Sequence, residues 1–548
     1  MNRLHNIQQL KNQSFDLCII GAGASGAGCA LDAALRGLKV ALIDQNDFAG
    51  ETSSKSTKLV HGGVRYLEQA FKNLDFAQLR QVRHGLEERH IVLANAPHLA
   101  RPLGLITPVF SWWEGLYFST GLKLYNWFAS GKDKLPGSRW LPKKEALHRM
   151  PGLSRHIHSA VLYYDGQLDD ARYCLALAHS AAEAGAVVAN YVQVVDFQKD
   201  SQHKIEAVQV RDSLSGASFQ IKARIVINCT GAGADHIRQL ANPAGTARIR
   251  PSKGVHAVLP YSVLNSADAM LIPKTKDGRV VFAVPFEGAL LLGTTDDPYT
   301  DAEKEPILEA TEIDFLLETL QPFLAEKVDK KDVTAGFGGL RPLLSPRMHH
   351  ENGTTTKTML RDHEVEHDQV SGLLSLLGGK WTTYRLMAKD TIDAACRLLD
   401  HLVACSSEKH LLVGAEGWRM TLAAELQSEF SLGEDICLHL SQKYGARAIQ
   451  IARLAAENTD GRQRILPEYP FIRAEVVYAV REEMACTPRD FLARRIRLEI
   501  INWQQALLSA PIVAQLMGQE LGWSAQEIQQ KTADYTALLE FFKFKTQG

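Results

Sequence analysis

The chain has 548 residues, more than one typical domain, so its length predicts roughly two to four domains. Its 61 basic and 62 acidic side chains leave a net charge of −1, and no global positive field indicates nucleic acid as a partner. The eight cysteines are scattered without metal-ligand spacing, and no apolar run approaches the roughly 18 residues of a spanning helix, so neither a metal centre nor a membrane span is expected.

The first segment of the chain is polar and leads directly into a predicted βαβ unit. Its composition is typical of neither a secretory signal nor a transit peptide. An apolar strand over 17–20 leads into Gly21-x-Gly23-x-x-Gly26, a helix of small residues follows, and a second strand ends on Asp44. The glycines allow a tight turn, the approach of a pyrophosphate and close helix packing, while the carboxylate accepts ribose hydroxyls. The unit predicts a dinucleotide site but does not separate NAD from FAD.

A polar loop follows, with the sequence Thr52-Ser-Ser-Lys-Ser-Thr-Lys-Leu-Val-His-Gly-Gly-Val-Arg-Tyr-Leu67. An ordinary helix-entry loop is the alternative to a loop wrapped round a cofactor. The pattern resembles the flavin-dependent glycerol-3-phosphate dehydrogenases, within the D-amino-acid-oxidase-like group of FAD enzymes. In that family this run lies along the flavin, so the resemblance implies FAD rather than NAD.

Residues 68–95 predict an amphipathic helix, and the segment from Pro102 to Phe128 is rich in tryptophan, tyrosine and leucine. Such a segment suits a membrane headgroup boundary, and we expect it to form an interfacial helix. A buried core helix or a dimer contact remains the alternative.

Alternating apolar strands follow a helix that begins near Asp169 and Asp170. Strands are predicted at 186–196, 205–210 and 218–228, and then at 269–272, 280–285 and 290–295, with a helical stretch at 305–326. The later strands predict a second, substrate-side sheet inserted into the first domain. Gly336-Phe-Gly-Gly-Leu-Arg341 is interpreted as the return to that domain, and Gly378-Gly-Lys-Trp-Thr-Thr-Tyr-Arg385 resembles the family's closing motif beside the flavin.

The composition becomes helical beyond about residue 405, which resembles the family's C-terminal domain. Arg489, Arg494, Arg495 and Arg497 are predicted to form a solvated face with ion pairs; contact with anionic lipid or a partner subunit is the alternative.

The fold predicted is α/β, with a Rossmann-like FAD-binding domain, an inserted antiparallel-sheet substrate domain and a helical C-terminal domain. The oxidoreductase region spans 1–405. Within it the FAD-binding domain takes about 1–100, 150–245 and 333–405, and the substrate portion takes about 101–149 and 246–332. The helical domain spans 406–548.

The resemblance implies roles for individual residues. Arg341 is placed nearest the reacting hydroxyl, and His61 or His256 is the base, with His61 favoured; either histidine is otherwise structural. The residues expected around glycerol 3-phosphate are Arg65, Tyr66, Arg361, Lys380 and Thr382. The residues expected to hold noncovalent FAD are Gly21, Gly23, Ala24, Ser25, Gly26, Asp44, Thr52, Ser53, Ser54, Lys58, Thr230, Gly231, Gly378, Gly379, Lys380, Thr382 and Thr383.

The function expected is oxidation of sn-glycerol 3-phosphate to dihydroxyacetone phosphate, with two electrons passing through FAD to membrane quinone. We expect a peripheral protein on the cytoplasmic face of the inner membrane, with homodimer formation as a further expectation. The alternatives are an oxidase that reduces oxygen to peroxide, a related FAD enzyme for another small substrate, and a non-enzymatic protein that binds FAD as a structural group.

Overall fold

The computed structural model describes residues 1–62, 76–129, 135–273, 275, 279–300, 304–345 and 363–547, with side chains throughout except at 76–81 and 124–129. In these ranges the chain forms two β-sheets and a helical C-terminal region. The strands are β1 Ser14–Ile20, β2 Val40–Ile43, β3 Leu59–Val60, β4 Ala100–Val109, β5 Arg139–Pro142, β6 Ser159–Leu168, β7 Val187–Ala189, β8 Val192–Lys199, β9 Ile205–Asp212, β10 Ser218–Asn228, β11 Ile249–Pro260, β12 Ala269–Ile272, β13 Val281–Phe286, β14 Ala289–Gly293, β15 Asp297–Pro298, β16 Ala335–Leu344, β17 His363–His367 and β18 Leu374–Gly378.

The helices of the described residues alternate with these strands and then continue alone to the C-terminus. They are α1 Arg3–Asn12, α2 Ala24–Leu35, α3 Phe76–Asn95, α4 Trp112–Ala129, α5 Lys143–Arg149, α6 Asp170–Glu183, α7 Ala234–Ala241, α8 Ala310–Leu320, α9 Tyr384–Leu399, α10 Leu422–Phe430, α11 Glu434–Tyr444, α12 Ala448–Glu457, α13 Arg473–Glu483, α14 Leu498–Ile501, α15 Trp503–Leu521 and α16 Ala525–Gln547, with a π-helical turn at Asp490–Arg495. Across these helices we find none that is both long and apolar enough to cross a membrane.

The first sheet has the strand order β17-β18-β10-β1-β2-β7, and its central pairs are parallel. The small residues of α2 let this helix pack closely on the sheet together with α6 and α9, and Ala27, Cys174 and Ala388 lie in one buried cluster. A parallel sheet covered by helices reads as continuous apolar strands, which explains why β1 and β2 were predicted correctly.

The second sheet has the order β15-β11-β14-β13-β12-β4-β6-β3, with β16 paired to β11 and β5 paired to β6. Strands β6 and β16 lie in ranges that the sequence-based limits gave to the FAD-binding domain. Their hydrogen-bond partners are β4 and β11, so both belong to the second sheet. One face of this sheet packs on α5 and α8, and the other packs on the C-terminal helices.

The aromatic segment from Pro102 to Phe128 was predicted to be one helix, and this prediction is wrong for its first part. Residues 100–109 form β4, whose Leu105 and Ile106 are buried in the second sheet. Only α4 is helical. The expected alternation of strand residues is hidden here because both faces of β4 are covered.

The arginines of the C-terminal region were predicted to form a solvated face, which the structure contradicts. Arg494, Arg495 and Arg497 are buried. Arg494 and Arg495 both pair with the buried Asp47, which follows β2 in the first domain. Their charge is therefore neutralised across a domain contact rather than by water.

Candidate functional site

Four predicted cofactor contacts lie at one edge of the first sheet. Gly21, Asp44, Thr230 and Gly378 stand at or just after the carboxyl ends of β1, β2, β10 and β18, which are neighbouring parallel strands. Ligands of open α/β sheets bind in the crevice outside such strand ends. The structure therefore brings together residues that are far apart in the sequence.

The glycines at this edge are required by close contacts. Gly21 has φ +98°, in the left-handed region, and a Cβ at Gly26 would lie 1.8 Å from the carbonyl oxygen of Gly21. A Cβ at Gly23 would lie 2.7 Å from Ser53 Oγ. The absence of side chains at these glycines lets other groups approach the backbone of this turn. The turn lies at the N-terminus of α2, where unpaired helix amides favour an anion such as a phosphate.

Asp44 is held in place by the backbone of the same turn. It accepts hydrogen bonds from Ala22 N at 2.6 Å and from Asn46 N at 2.8 Å. Burial raises the pKa of Asp44 to about 7, although these two hydrogen bonds oppose the shift. Further hydrogen-bond donors, such as ribose hydroxyls, would stabilise the ionised form of this carboxylate.

Residues 52–58, which we call the cofactor segment, connect the turn to the second sheet. Ser53 Oγ accepts from Ala24 N at 2.9 Å, and Thr52 Oγ1 donates to Leu340 O of β16 at 2.8 Å. Ser54 Oγ donates to Glu51 O at 3.2 Å. The hydroxyls that were predicted to hold the cofactor thus also fix the segment between the two sheets.

Lys58 was predicted to contact FAD, but its ammonium is fully buried and directed elsewhere. It donates to Ser54 O at 2.9 Å, to Ser56 O at 3.0 Å and to Asp170 Oδ2 at 2.8 Å. These three bonds use its three hydrogens. Burial is the main reason why the pKa of Lys58 falls to about 8, with Asp170 opposing the shift. The side chain therefore holds the segment rather than a ligand.

One face of the second sheet presents Arg341 and His256 to this segment. Ser252 and His256 of β11 lie opposite Arg341 and Phe337 of β16, with Gly254 and Gly339 paired between them. A Cβ at Gly254 would lie 2.4 Å from the Arg341 guanidinium, and one at Gly339 would lie 3.2 Å from Lys55 Cβ. The glycine pair therefore leaves room for both the guanidinium and the cofactor segment.

The Arg341 guanidinium is oriented by the end of β14. It donates to Thr294 Oγ1 at 3.1 Å and to Thr295 O at 3.0 Å, and lies 3.3 Å from Asp296 Oδ1. Its side chain remains 25% exposed.

His256 is a buried imidazole stacked on Phe337, with ring centroids 4.6 Å apart. Its Nε2 lies 3.0 Å from Thr57 Oγ1, whereas its buried Nδ1 has no hydrogen-bond partner among the residues that the structure describes. Burial, Lys58 and Arg341 together hold the pKa of His256 well below its usual range, so the ring is neutral near pH 7. We interpret this nitrogen as a position where a ligand atom would be stabilised, because it also lies beside the cofactor segment.

His61, the favoured base, lies across the same face. Its ring stacks with Phe282, with centroids 6.4 Å apart. Phe282 pairs with Gly293, and Gly293 pairs with His256 in the next strand. His61 is therefore stacked on the residue that lies across Gly293 from His256.

The turn from Gly378 to Thr383 completes the site from the first domain. Both glycines have left-handed φ values, the Lys380 side chain is half-buried and Thr382 is buried. Trp381 donates from Nε1 to Ser53 O at 2.9 Å, which links this turn to the cofactor segment. Gly231 also has a left-handed φ and open space around its Cα, while Thr230 donates to Asn228 Oδ1 at 2.7 Å.

Arg65, Tyr66 and Arg361 lie outside the described residues, so their roles stay predictions. Thr57 and Asp170 were not assigned to the site from the sequence. The acidic start of α6 was the available signal for Asp170. The sequence carries no signal for Thr57, whose contact with His256 is seen only in the folded chain.

These observations fit a bound FAD. Glycine-spaced backbone and the α2 N-terminus suit the pyrophosphate, and half-buried Asp44 suits the ribose. Within the described part of the chain, His256 Nδ1 has no hydrogen-bond partner. The fold and this site together define an FAD-dependent oxidoreductase, and residues 16–385 match the family described as FAD dependent oxidoreductase. Residues 405–528 match the family described as the C-terminal domain of alpha-glycerophosphate oxidase.

The chain is similar over nearly its whole length to named relatives. It is 42% identical to the probable mitochondrial glycerol-3-phosphate dehydrogenase of Caenorhabditis elegans, over 94% of this chain and 72% of that protein. The identity to the mitochondrial glycerol-3-phosphate dehydrogenase of Homo sapiens is 40%, over 95% and 73%. The solved structure of the Bacillus halodurans glycerol-3-phosphate dehydrogenase complexed with FAD has 29% identity and a TM-score of 0.78, with 98% and 96% covered. The chain belongs to the family of FAD-dependent glycerol-3-phosphate dehydrogenases, which confirms the predicted family, fold class and cofactor.

We predict that FAD affinity depends on the ionisation of Asp44. Below its pKa of about 7 the carboxyl must lose a proton before it accepts both ribose hydroxyls. The dissociation constant of FAD from the apoprotein should therefore be about tenfold larger near pH 6 than near pH 8. Fluorescence titration of the apoprotein measures this. In Asp44→Asn binding should be weaker and independent of pH; a wild-type constant that is flat over this range would contradict the role of Asp44.

Proposed function

We propose that this chain oxidises sn-glycerol 3-phosphate to dihydroxyacetone phosphate with FAD and delivers the electrons to membrane quinone. FAD, when bound, supplies the two-electron acceptor for the carbinol carbon. The observation that carries the proposal is the sheet face on which the fixed Arg341 guanidinium lies four register positions from His256, whose ring contacts Thr57 of the cofactor segment. His61 lies beside Phe282 of the same sheet. The substrate loses two electrons and two protons and becomes a ketone, so the site must accept the hydroxyl proton.

Arg341 is assigned to the hydroxyl and the adjoining phosphate oxygens. Its fork is fixed by Thr294, Thr295 and Asp296, so little side-chain freedom is lost when substrate binds. Lys380 adds a cation at the turn beside the cofactor segment. Arg65, Tyr66 and Arg361 are proposed as further substrate contacts on the sequence resemblance alone.

We assign acceptance of the hydroxyl proton to His61 and orientation of the alcohol to His256. His256 is a weak proton acceptor because its pKa is held far below the usual range, but its neutral ring can still form a hydrogen bond. Thr57 fixes the ring through Nε2 and leaves Nδ1 directed away from that contact.

A membrane contact is proposed at the exposed face of α4. Trp112 and Trp113 are 52% and 73% exposed, and their rings meet edge to face with centroids 4.8 Å apart. Leu116 and Tyr117 are also exposed, whereas Gly115 packs against Trp140 on the opposite side. A face that presents tryptophan and tyrosine suits the headgroup region, where quinone is reached. We place the protein on the cytoplasmic face of the inner membrane; a homodimer using this face is the alternative.

Anaerobic titration of the yellow protein tests the reaction. Glycerol 3-phosphate should bleach the visible flavin band, and a short-chain quinone should restore it faster than oxygen does. Faster recovery with oxygen, with peroxide formed, would support the oxidase alternative. Absence of bleaching would favour another substrate or a structural role for FAD.

We predict that Arg341→Lys lowers kcat/KM more than Lys380→Arg does. The first change removes a fixed fork beside the reacting carbon, and a lost charge-assisted hydrogen bond corresponds to a loss of about ten- to a hundredfold. The second change keeps a cation on the phosphate. Steady-state kinetics at saturating FAD measures both, and losses below about threefold for both would remove Arg341 from the site.

We predict that the triple change Trp112→Ser, Trp113→Ser and Tyr117→Ser releases the protein from liposomes. Each side chain contributes about 1.5 to 3 kcal/mol when buried in lipid. Phe118 of the same helix is unsuitable for this test because it packs against the second-sheet core. Co-sedimentation is measured, with bleaching by substrate expected to persist.

The matched control for this experiment is Phe541→Ser with Phe544→Ser, which removes exposed aromatic rings from α16 instead. The control should remain bound. If the α4 variant stays on liposomes, or dissociates from a dimer instead, the exposed face is not the membrane contact.

A further inference from the structure

The C-terminal region reaches into the cofactor site through one buried arginine. Arg497 precedes α14 and has no exposed surface. Its Nη2 donates to Ser54 O at 2.7 Å and to Asp170 Oδ1 at 2.9 Å, and its Nη1 donates to Ala493 O at 2.8 Å. The guanidinium therefore ties the π-helical turn of the C-terminal region to the backbone of the cofactor segment.

Asp170 holds the same segment from the start of α6. Its Oδ2 accepts from Ser56 N at 2.9 Å, from Ser56 Oγ at 2.7 Å and from Lys58 Nζ at 2.8 Å. Its Oδ1 accepts from Ala171 N at 2.8 Å as well as from Arg497. Lys58 and Arg497 both donate to Ser54 O, so the middle of the segment is held by two cations and one carboxylate.

A second buried contact between the C-terminal region and the first domain lies just upstream of the segment. Arg494 Nε donates to Asp47 Oδ2 at 2.6 Å, and Arg495 also pairs with this carboxylate. Arg489 pairs with Glu305 at 2.8 Å, and Glu305 pairs with Lys55 at 2.7 Å. The C-terminal region therefore contacts residues 47–58 directly at Asp47 and Ser54, and indirectly at Lys55 through Glu305.

The opposite side of the segment is the part that serves the cofactor and the substrate. Ser53 contacts the N-terminus of α2 and Thr57 contacts His256. The contacts from Arg497 and Asp170 act on residues between these two. Loss of the contacts from Arg497 and Asp170 would free the backbone around Ser54. The strand ends of β1 and β2 at the dinucleotide site would stay in place.

We propose that the C-terminal domain keeps the cofactor segment in its FAD-binding conformation, and that Arg497 is the positioning residue through which it acts. This inference rests on FAD binding at the proposed site. The segment must become ordered before or during FAD binding. If it is ordered in only a fraction of the apoprotein molecules, the apparent dissociation constant of FAD is the intrinsic constant divided by that fraction. The C-terminal domain thereby sets cofactor affinity without touching substrate.

The test compares FAD dissociation constants of apoprotein variants by fluorescence titration. Arg497→Met should raise the constant by about tenfold or more, and Arg497→Lys, which keeps the charge but not the fork, should raise it less. Ser56→Ala removes one bond to Asp170 from the segment side and should raise it modestly. Hydrogen exchange of the apoprotein should show faster exchange at the amides of residues 52–58 in each variant, with little change in β1 and β2.

Glu475→Gln is the matched control for general destabilisation. Glu475 is buried in the C-terminal core, where it accepts from His439 and Tyr444, away from the segment. This variant should lower Tm while leaving the FAD constant close to that of wild type.

The inference is overturned if the Arg497 variants bind FAD within about threefold of wild type, or if Glu475→Gln weakens FAD equally at the same loss of Tm. If Arg497→Met does not fold, the comparison of Arg497→Lys and Ser56→Ala with wild type decides. A wild type that binds FAD but is not bleached by glycerol 3-phosphate contradicts the proposed function and leaves this inference standing. Bleaching of wild type together with unchanged constants in the variants contradicts this inference alone.

Discussion

The carboxylate of Asp170 is completely buried, and an isolated ionised carboxylate in that environment would be costly by several kcal/mol. Its five hydrogen bonds compensate this cost, and they come from three parts of the chain. Because each donor must stay in place, the start of α6, the cofactor segment and the π-helical turn before α14 are fixed relative to one another. The geometry of the candidate site depends on this constraint, since Ser53 and Thr57 lie on either side of the residues that it holds.

The two sheets supply different halves of the chemistry. The parallel sheet provides strand ends, glycines and a helix N-terminus, which together suit a dinucleotide without needing charged side chains at the phosphates. The antiparallel sheet provides rigid side chains, and the glycine pair Gly254 and Gly339 clears the space between Arg341 and His256. Neither half is complete alone. The short links made by Thr52 to β16 and by Trp381 to Ser53 bring them together at the cofactor segment.

Local patterns in the sequence predicted the local structure well. The βαβ unit, the strand at 269–272 and the helix starting at Asp170 appear where the spacing of apolar residues, glycines and caps placed them. Long-range pairing was not encoded in such patterns: β6 and β16 look like strands of either domain until their partners β4 and β11 are known. The prediction that the arginines from 489 to 497 form a solvated face was wrong for the same reason. A charged run on a surface and one in a buried contact have the same composition. What decides between them is Asp47 and Asp170, which lie hundreds of residues away. The contacts of Lys58 differ from those expected because a sequence motif gives the position of a side chain but not its direction.

We propose that one cleft, formed by the β1, β2, β10 and β18 strand ends and closed by the cofactor segment, holds FAD against Arg341 and His256. An experimental structure of the FAD complex, prepared anaerobically with glycerol 3-phosphate or dihydroxyacetone phosphate, tests this claim most directly. We expect the ribose hydroxyls within about 3.2 Å of the Asp44 carboxylate, and the reacting carbon between the flavin ring and the face that carries Arg341 and His256. A flavin ring outside this cleft, or a substrate bound away from Arg341 and His256, would contradict the account.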